Sequence, residues 1–221
     1  MRLVALFVAA LAALSFLAAP TLAKRIALVA PPAPAEETPA AENSIVWEER
    51  SLGDANAPVT IYEYASLTCG HCAAFHELVL PHVKTELIDT GKARLVYRDF
   101  PLNAAAVKAA TLARCMPEPR FFPFIASVYQ TQKSWAQGDD VEGGLVKLAA
   151  LAGLDEMRAR ACMNHETLEL KTIEIMREAQ MKYRLTSTPS FVFYGAKGEQ
   201  MREYKPFTDL MEKHFKDPHK H

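Results

Sequence analysis

The sequence predicts an α/β protein in which a block of helices interrupts a set of short strands. Short apolar runs with the alternation typical of strands lie before and after residues 103–183, where apolar side chains instead recur at helical spacing. Glycine and proline separate these segments, as expected for the turns between elements. The predicted order is therefore strand, strand, helix, strand, helical block, hairpin and helix.

Two strands and a long helix come first. Residues 45–50 carry a weak edge-strand signal, and Val59–Tyr64 alternates more clearly. A helix is predicted from residue 70 to residue 90, with apolar side chains three or four positions apart. We expect Pro81 to kink this helix, because its ring displaces a backbone hydrogen bond, and Gly91 to end it.

A third strand and the helical block follow. Arg94–Arg98 is the predicted strand. The block extends from Asn103 to Tyr183 and is interrupted near residues 117–123, residues 138–144 and Gly153. These interruptions predict a block of about four helices.

The last segment predicts a hairpin and a closing helix. Ser190–Tyr194 has the composition of a buried strand, and the glycines of residues 195–198 form a turn. Residues 199–204 should then pair back onto the strand, and residues 207–215 should form the helix.

The N-terminus is typical of an exported protein. Arg2 precedes the apolar run Leu3–Ala18, and small residues stand just before Lys24, which predicts a cleaved signal peptide over residues 1–23. An uncleaved anchor in the inner membrane, with the body of the protein facing the periplasm, is the open alternative. In both cases we expect a periplasmic protein in an oxidising compartment, where cysteines persist as disulfides.

Composition limits the partners. The formal net charge is -1 and the sequence pI is near 6.7, so there is no basic excess to neutralise phosphates, and nucleic acid is not an expected partner. Residues 24–44 form a proline- and alanine-rich linker without heptads, and residues 217–221 form a short tail. With no oligomerisation module in the linker, we expect a monomer.

The most informative feature is the motif Cys69-Gly70-His71-Cys72, which follows a predicted strand and opens a predicted helix. The first sulfur of such a motif lies at a helix N-terminus, where unpaired N–H groups and the helix dipole favour a thiolate. Cys69 is therefore the predicted nucleophile. A protonated His71 would stabilise this thiolate further and make the disulfide with Cys72 easier to reduce, so the pair should act as an oxidant.

This motif, the order of elements, the segment Arg98-Asp99-Phe100-Pro101-Leu102 and Thr188-Pro189 together resemble a DsbA-type thiol:disulfide oxidoreductase. The resemblance extends over about residues 45–215. It implies an α/β architecture, namely a thioredoxin fold with an inserted α-helical domain. The thioredoxin-like part would be discontinuous, and the expected segments are residues 45–102 and 184–216, with the helical domain at residues 103–183.

The resemblance also implies the partners and the substrate site. Pro189 would be a cis-proline facing the dithiol, and Thr188 would pair its backbone with a bound peptide. The expected substrates are unfolded exported proteins with free cysteines, and a membrane quinone reductase similar to DsbB would recycle the dithiol. The dipeptide Gly70-His71 is itself similar to the active site of eukaryotic protein disulfide isomerase.

Glu63 is the candidate proton acceptor. It lies six residues before Cys69, at the place where thioredoxin-like proteins keep a buried acidic residue, and a desolvated carboxylate there could take the proton of Cys72 during reoxidation. The alternative is a partly exposed strand residue paired with a cation such as Arg98.

The remaining cysteines and histidines are expected to have structural roles. Cys115 and Cys162 are expected to form a structural disulfide between helices of the block, with two buried free thiols or a second redox pair as alternatives. His76 and His82 are expected to be surface or groove residues of the long helix. The histidines near the C-terminus are expected to belong to a solvated tail, with weak binding of a stray metal ion as the alternative: His214, His219 and His221.

Three functions follow. The first is an oxidase that donates the Cys69–Cys72 disulfide to exported proteins, with no cofactor besides that disulfide and no metal. The second is a disulfide isomerase or reductase, favoured by the Gly-His dipeptide and by Thr188. The third is a soft-metal protein with Cys69, His71 and Cys72 as ligands, disfavoured because tetrahedral zinc needs further ligands.

Overall fold

A computed structural model of the protein describes residues 46–215, which contain a five-stranded mixed sheet. In sheet order the strands are β1, β3, β2, β4 and β5; β2 and β3 are parallel, and the other neighbours are antiparallel. Their bounds are β1 Arg50–Leu52, β2 Val59–Ala65, β3 Arg94–Asp99, β4 Ser190–Gly195 and β5 Gln200–Met201. β2 lies at the centre of the sheet and ends at Ala65, so the short loop after it places the dithiol at the middle of the sheet edge.

Helices cover both faces of this sheet. The side chains of β2 alternate: Ile61 packs with Phe75 of the dithiol-bearing helix, whereas Tyr64 packs with Ile175 of the last helix of the block. The α-helices are α1 Gly70–Ala74, α2 Leu80–Val83, α3 Ala104–Arg114, α4 Glu118–Gln130, α5 Gln132–Ala136, α6 Val141–Leu151, α7 Glu156–Met163, α8 Glu166–Tyr183 and α9 Lys205–His214.

The first strand begins later than expected. Strand pairing starts at Arg50, opposite Tyr97 of β3, and residues 46–49 are not part of the sheet. The backbone there serves another purpose, because the Glu48 carbonyl accepts a hydrogen bond from the buried Arg114 side chain. The start of the predicted strand at Ile45 lies outside the described residues, as do the leader, the linker and the tail.

The long helix extends from Gly70 to Ile88 and contains both α-helical and π-helical segments. Two π-helical segments, Phe75–Val79 and Lys84–Ile88, flank α2, and Pro81 lies in the first turn of α2. The wider π-helical turn before Pro81 accommodates a residue that has no N–H to donate. The helix ends at Ile88, and Gly91, in the turn that follows, has a positive φ of 72°.

The helical block has six helices in the described chain, α3 to α8, and lies between β3 and β4. The chain breaks between helices at residues 115–117 and 137–140, and the later residues of both predicted interruptions lie inside the helices that follow. Pro119 occupies the first turn of α4, where a missing N–H costs nothing, and Pro123 lies in its interior. Gly144 lies in α6, and its lack of a side chain lets this helix pack closely on Trp135 of α5. A Cβ at this position would approach the Trp135 Cβ to 2.9 Å.

The expected C-terminal hairpin and helix are present, although the return strand is shorter than predicted. β5 contains two residues and pairs with Phe193 and Tyr194. No helix among residues 46–215 is both long enough and apolar enough to span a membrane.

Candidate active site

The dithiol lies where the central strand meets a helix. β2 ends at Ala65, and Cys69 is the N-terminal capping residue of α1, with extended backbone angles. β4 pairs with β2 so that Ser190 lies opposite Tyr64, which brings the preceding Thr188 and Pro189 beside the dithiol. The Thr188–Pro189 peptide bond is cis.

Cys69 is poised as a thiolate. A hydrogen bond from the Cys72 thiol lowers the pKa of Cys69 from 9.0 to about 5, against the opposing effect of burial, and the Thr188 side chain adds to the lowering. Backbone N–H groups of Cys72 and His71 contribute further, as expected at the N-terminus of a helix. The nucleophile predicted from the motif therefore has the electrostatic surroundings of one.

Thr188 contacts Cys69 in a way that depends on the protonation state of the sulfur. In the thiol form the Cys69 Sγ donates to the Thr188 carbonyl at 3.3 Å. The buried Thr188 hydroxyl has no hydrogen-bond partner among residues 46–215 in this form. A thiolate accepts rather than donates, and this hydroxyl is then available to donate to it.

Cys72 has the opposite electrostatics. Cys72 is fully buried, and this burial raises the pKa of its thiol well above 9.0. The hydrogen bond to Cys69, the charge on the Cys69 sulfur and the charge of Glu63 act in the same direction. Cys72 therefore keeps its proton while Cys69 is ionised, and both are free thiols in this structure.

Glu63 is buried beneath the dithiol and pairs with a histidine. Its side chain is 0% exposed, and its Oε1 lies 2.8 Å from Nε2 of His76. Arg98, the partner considered in the alternative interpretation, pairs with Glu49 instead. The second oxygen, Oε2, has no hydrogen-bond partner within the described residues. The carboxylate thus has one oxygen held by His76 and one available for a further proton.

His76 corrects the expectation of a surface or groove histidine. Its side chain is 4% exposed, because the π-helical segment turns it toward the sheet. Its ring packs against Tyr129 at a centroid distance of 4.5 Å, and the Tyr129 hydroxyl bonds to that of Tyr97 at 3.1 Å. His76 lies four residues after Cys72, a spacing that places both on one face of a helix and could have indicated this position.

The helical block also contributes to the site. Gln132 Nε2 donates to the carbonyl oxygens of Leu67 at 2.8 Å and of Cys69 at 3.2 Å, and so braces the loop that carries the nucleophile. The sequence contains no local signal for this contact, because Gln132 is 63 residues from Cys69.

His71 is half-buried and contacts the C-terminal end of the described chain. Its ring stacks on that of Phe215 with a centroid distance of 6.2 Å. The contribution of His71 to the low pKa of Cys69 is made through its backbone N–H.

The other cysteines are bonded to each other and do not join the dithiol. A disulfide links Cys115, just after α3, to Cys162 of α7, with a Cα–Cα distance of 6.1 Å. Nearby, Arg114 forms a buried ion pair with Asp99 at 2.7 Å, which ties the helical block to the end of β3. This pair explains the aspartate in the segment after the third strand.

Comparisons with known proteins agree with this geometry. A family model described as thioredoxin matches residues 46–213. The crystal structure of Wolbachia pipientis alpha-DsbA1 has a TM-score of 0.66 and 32% sequence identity, covering 77% of this chain and 92% of that one. The protein-disulfide isomerase of Novosphingobium aromaticivorans has a TM-score of 0.63 over 73% of this chain and 97% of that one, and at 20% identity the likeness concerns the fold alone.

A curated relative from Rickettsia prowazekii, named as a protein-disulfide oxidoreductase, is 30% identical over 149 residues, which is 67% of this chain and 55% of the relative. The chain thus spans about half the length of the curated relatives it matches. Fold and site together define a thioredoxin-fold protein with a Cys-x-x-Cys dithiol. The chain belongs to the thioredoxin superfamily, among its DsbA-like thiol:disulfide oxidoreductases.

Proposed function

We propose that the protein is a periplasmic dithiol oxidase that donates the Cys69–Cys72 disulfide to exported proteins. The observation that supports this most directly is the low pKa of Cys69, about 5. A stabilised thiolate favours the reduced dithiol, and a dithiol that is stable when reduced has a disulfide that is easily given away.

Transfer to a substrate takes two exchange steps. A substrate thiolate attacks the Cys69 Sγ, the Cys69–Cys72 bond breaks, and Cys72 leaves with the bonding electrons and takes up a proton. A second substrate thiolate then attacks the substrate sulfur of this mixed disulfide. The substrate disulfide forms, and Cys69 leaves as a thiolate, which its low pKa makes a good leaving group.

Reoxidation reverses the electron flow and requires a base. The Cys69 thiolate attacks the disulfide of a membrane quinone reductase similar to DsbB, and Cys72 must then lose its proton before it can attack Cys69 and release the partner. Glu63 is the proposed acceptor of that proton, because it is buried, acts electrostatically on Cys72 and has one oxygen without a hydrogen bond among the described residues. His76 positions the carboxylate through its other oxygen.

Substrate binding is assigned to the segment before β4. Thr188 and Pro189 are half-buried beside Cys69, so an extended peptide could pair with the Thr188 backbone while its cysteine reaches the sulfur. The proposed substrates are unfolded exported proteins with free cysteines.

Equilibration with glutathione tests the direction of transfer. The Cys69–Cys72 pair should have a reduction potential nearer to the value of about -120 mV typical of DsbA than to the value of about -270 mV typical of thioredoxin. A potential at the thioredoxin end would overturn the oxidase and favour a reductase. Efficient rescue of a scrambled substrate, with slow oxidation of a reduced one, would instead identify an isomerase.

Single-cysteine variants test the roles of the two sulfurs. Cys72→Ala should accumulate mixed disulfides with substrate, because the resolving sulfur is missing, whereas Cys69→Ala should form none. Non-reducing electrophoresis separates these species, and iodoacetamide-blocked protein is the control. Equal trapping by both variants would contradict the assignment.

A further inference from the structure

Three side chains capable of binding a metal meet where the end of α9 lies against the helix that carries the dithiol. His82 lies in α2 and Glu86 one turn later in the second π-helical segment, while His214 is the last residue of α9. One donor atom from each lies within 4.8 Å of the other two. The C-terminal helix therefore completes a cluster that the sequence alone assigns partly to a solvated tail.

The two histidines are arranged in an unusual way. Their rings are stacked, with centroids 3.6 Å apart and an interplanar angle of 10°. The Nε2 atom of His214 is buried, and no described residue forms a hydrogen bond with it. A buried ring nitrogen without a partner carries a desolvation cost, which a ligand at that nitrogen would remove.

We propose that His82, Glu86 and His214 bind one Zn²⁺ ion. Two imidazole nitrogens and one carboxylate oxygen are a common protein ligand set for zinc, with water in the fourth position. At bond lengths of about 2.0–2.2 Å and tetrahedral angles, the donors would be about 3.4 Å apart. Side-chain rotation must therefore bring the widest pair of donor atoms closer by about 1.4 Å at most, and it must turn at least one imidazole out of the stack, because a bound metal lies in the plane of each ring.

The ligands have room for this movement. The side chains of His82 and Glu86 are 45% and 51% exposed, and their closest donor atoms are already 3.9 Å apart. Glu86 has no other salt bridge among residues 46–215, so no existing ion pair must break.

The position of the site gives the ion a structural role. It joins the end of α9 to the helix that carries the dithiol, and the next residue, Phe215, stacks on His71 of the active-site motif. The cluster uses neither cysteine. The zinc site therefore stands independently of the oxidase proposal.

Calorimetric titration with Zn²⁺ alone tests the site on the full protein without a purification tag. The protein is kept oxidised, so that the thiolates of Cys69 and Cys72 cannot bind the metal. One ion should bind, and His82→Ala or His214→Ala should weaken binding by about a hundredfold or more, since even loss of an indirect ligand contact costs roughly 10- to 100-fold.

The tail histidines provide a matched control. A protein with both His219→Ala and His221→Ala should bind zinc as the wild type does, and zinc should raise its Tm, whereas zinc should leave the Tm of the His82→Ala protein unchanged. Absence of saturable binding, unchanged affinity in the His82→Ala protein, or loss of binding in the tail variant alone would overturn the proposal.

Discussion

Lowering the pH should destabilise the reduced protein relative to the oxidised protein. The folded reduced state has a Cys69 pKa of about 5, whereas the unfolded chain has the ordinary value of 9.0. A depressed pKa contributes stability that is fully present above pH 9 and is lost as the pH falls toward 5. The oxidised protein has no thiol at this position, so its stability lacks this dependence.

The size of this loss of stability follows from the difference between the folded and unfolded pKa values of Cys69. Between these pH values the unfolded chain holds one more proton than the native state. The free energy of unfolding therefore changes by about 1.4 kcal/mol per pH unit, or about 5 kcal/mol over the whole window without screening. Cys69 is less deeply buried than Cys72, with 9% against 0% of its surface exposed, and screening by nearby water reduces this to about 2–3 kcal/mol.

Urea unfolding of the reduced and oxidised proteins across this pH range measures the difference in their free energies of unfolding. Groups other than the dithiol titrate in both forms and cancel. The reduced Cys69→Ser protein is the control and should lose the pH-dependent difference. Parallel stability curves for the reduced and oxidised wild type between pH 5 and pH 9 would refute a strongly lowered Cys69 pKa.

Three further changes have distinct outcomes. Replacing both Cys115 and Cys162 by alanine should lower the Tm by several degrees in thermal melts and leave turnover unchanged, since closing this loop contributes about 4 kcal/mol in the chain-entropy estimate. Loss of turnover at an unchanged Tm would instead indicate a redox role. His71→Ala keeps the backbone N–H through which His71 lowers the Cys69 pKa, so the Cys69 titration and the glutathione equilibrium should each shift less than tenfold; a shift of tenfold or more would show that the imidazole itself stabilises the thiolate. Glu63→Gln should slow reoxidation, measured by stopped-flow fluorescence, more than substrate oxidation, while an equal slowing of both would contradict a role in proton transfer.

The parts of the site that could be predicted from the sequence are those governed by local geometry. The Cys-x-x-Cys spacing at a strand-to-helix junction predicts which sulfur is exposed to helix N–H groups, and the alternation before it predicts the strand that carries Glu63. Both expectations depend on residues close together in the chain. The helix content of residues 103–183 is likewise a matter of local periodicity.

The remaining features depend on contacts between distant segments. The burial of His76 requires a π-helical segment that turns it beneath the dithiol, and the bracing of Cys69 by Gln132 requires a particular packing of α5. Pro123 and Gly144 look like helix breakers in isolation, but tertiary packing holds both inside helices.

The opposite behaviour of the two sulfurs follows from a single geometric arrangement. Because β2 is the central strand and a short loop leads from its end at Ala65 to the start of α1, Cys69 meets the N–H groups of that helix, while Cys72, a turn later, faces the interior and the charge of Glu63. The hydrogen bond between them transfers stabilisation from one sulfur to the other, since the proton kept by Cys72 is the one that stabilises the Cys69 thiolate. Burial of the second sulfur therefore strengthens the first as a leaving group, and the direction of disulfide transfer depends on the depth of Cys72 as much as on any charge near Cys69.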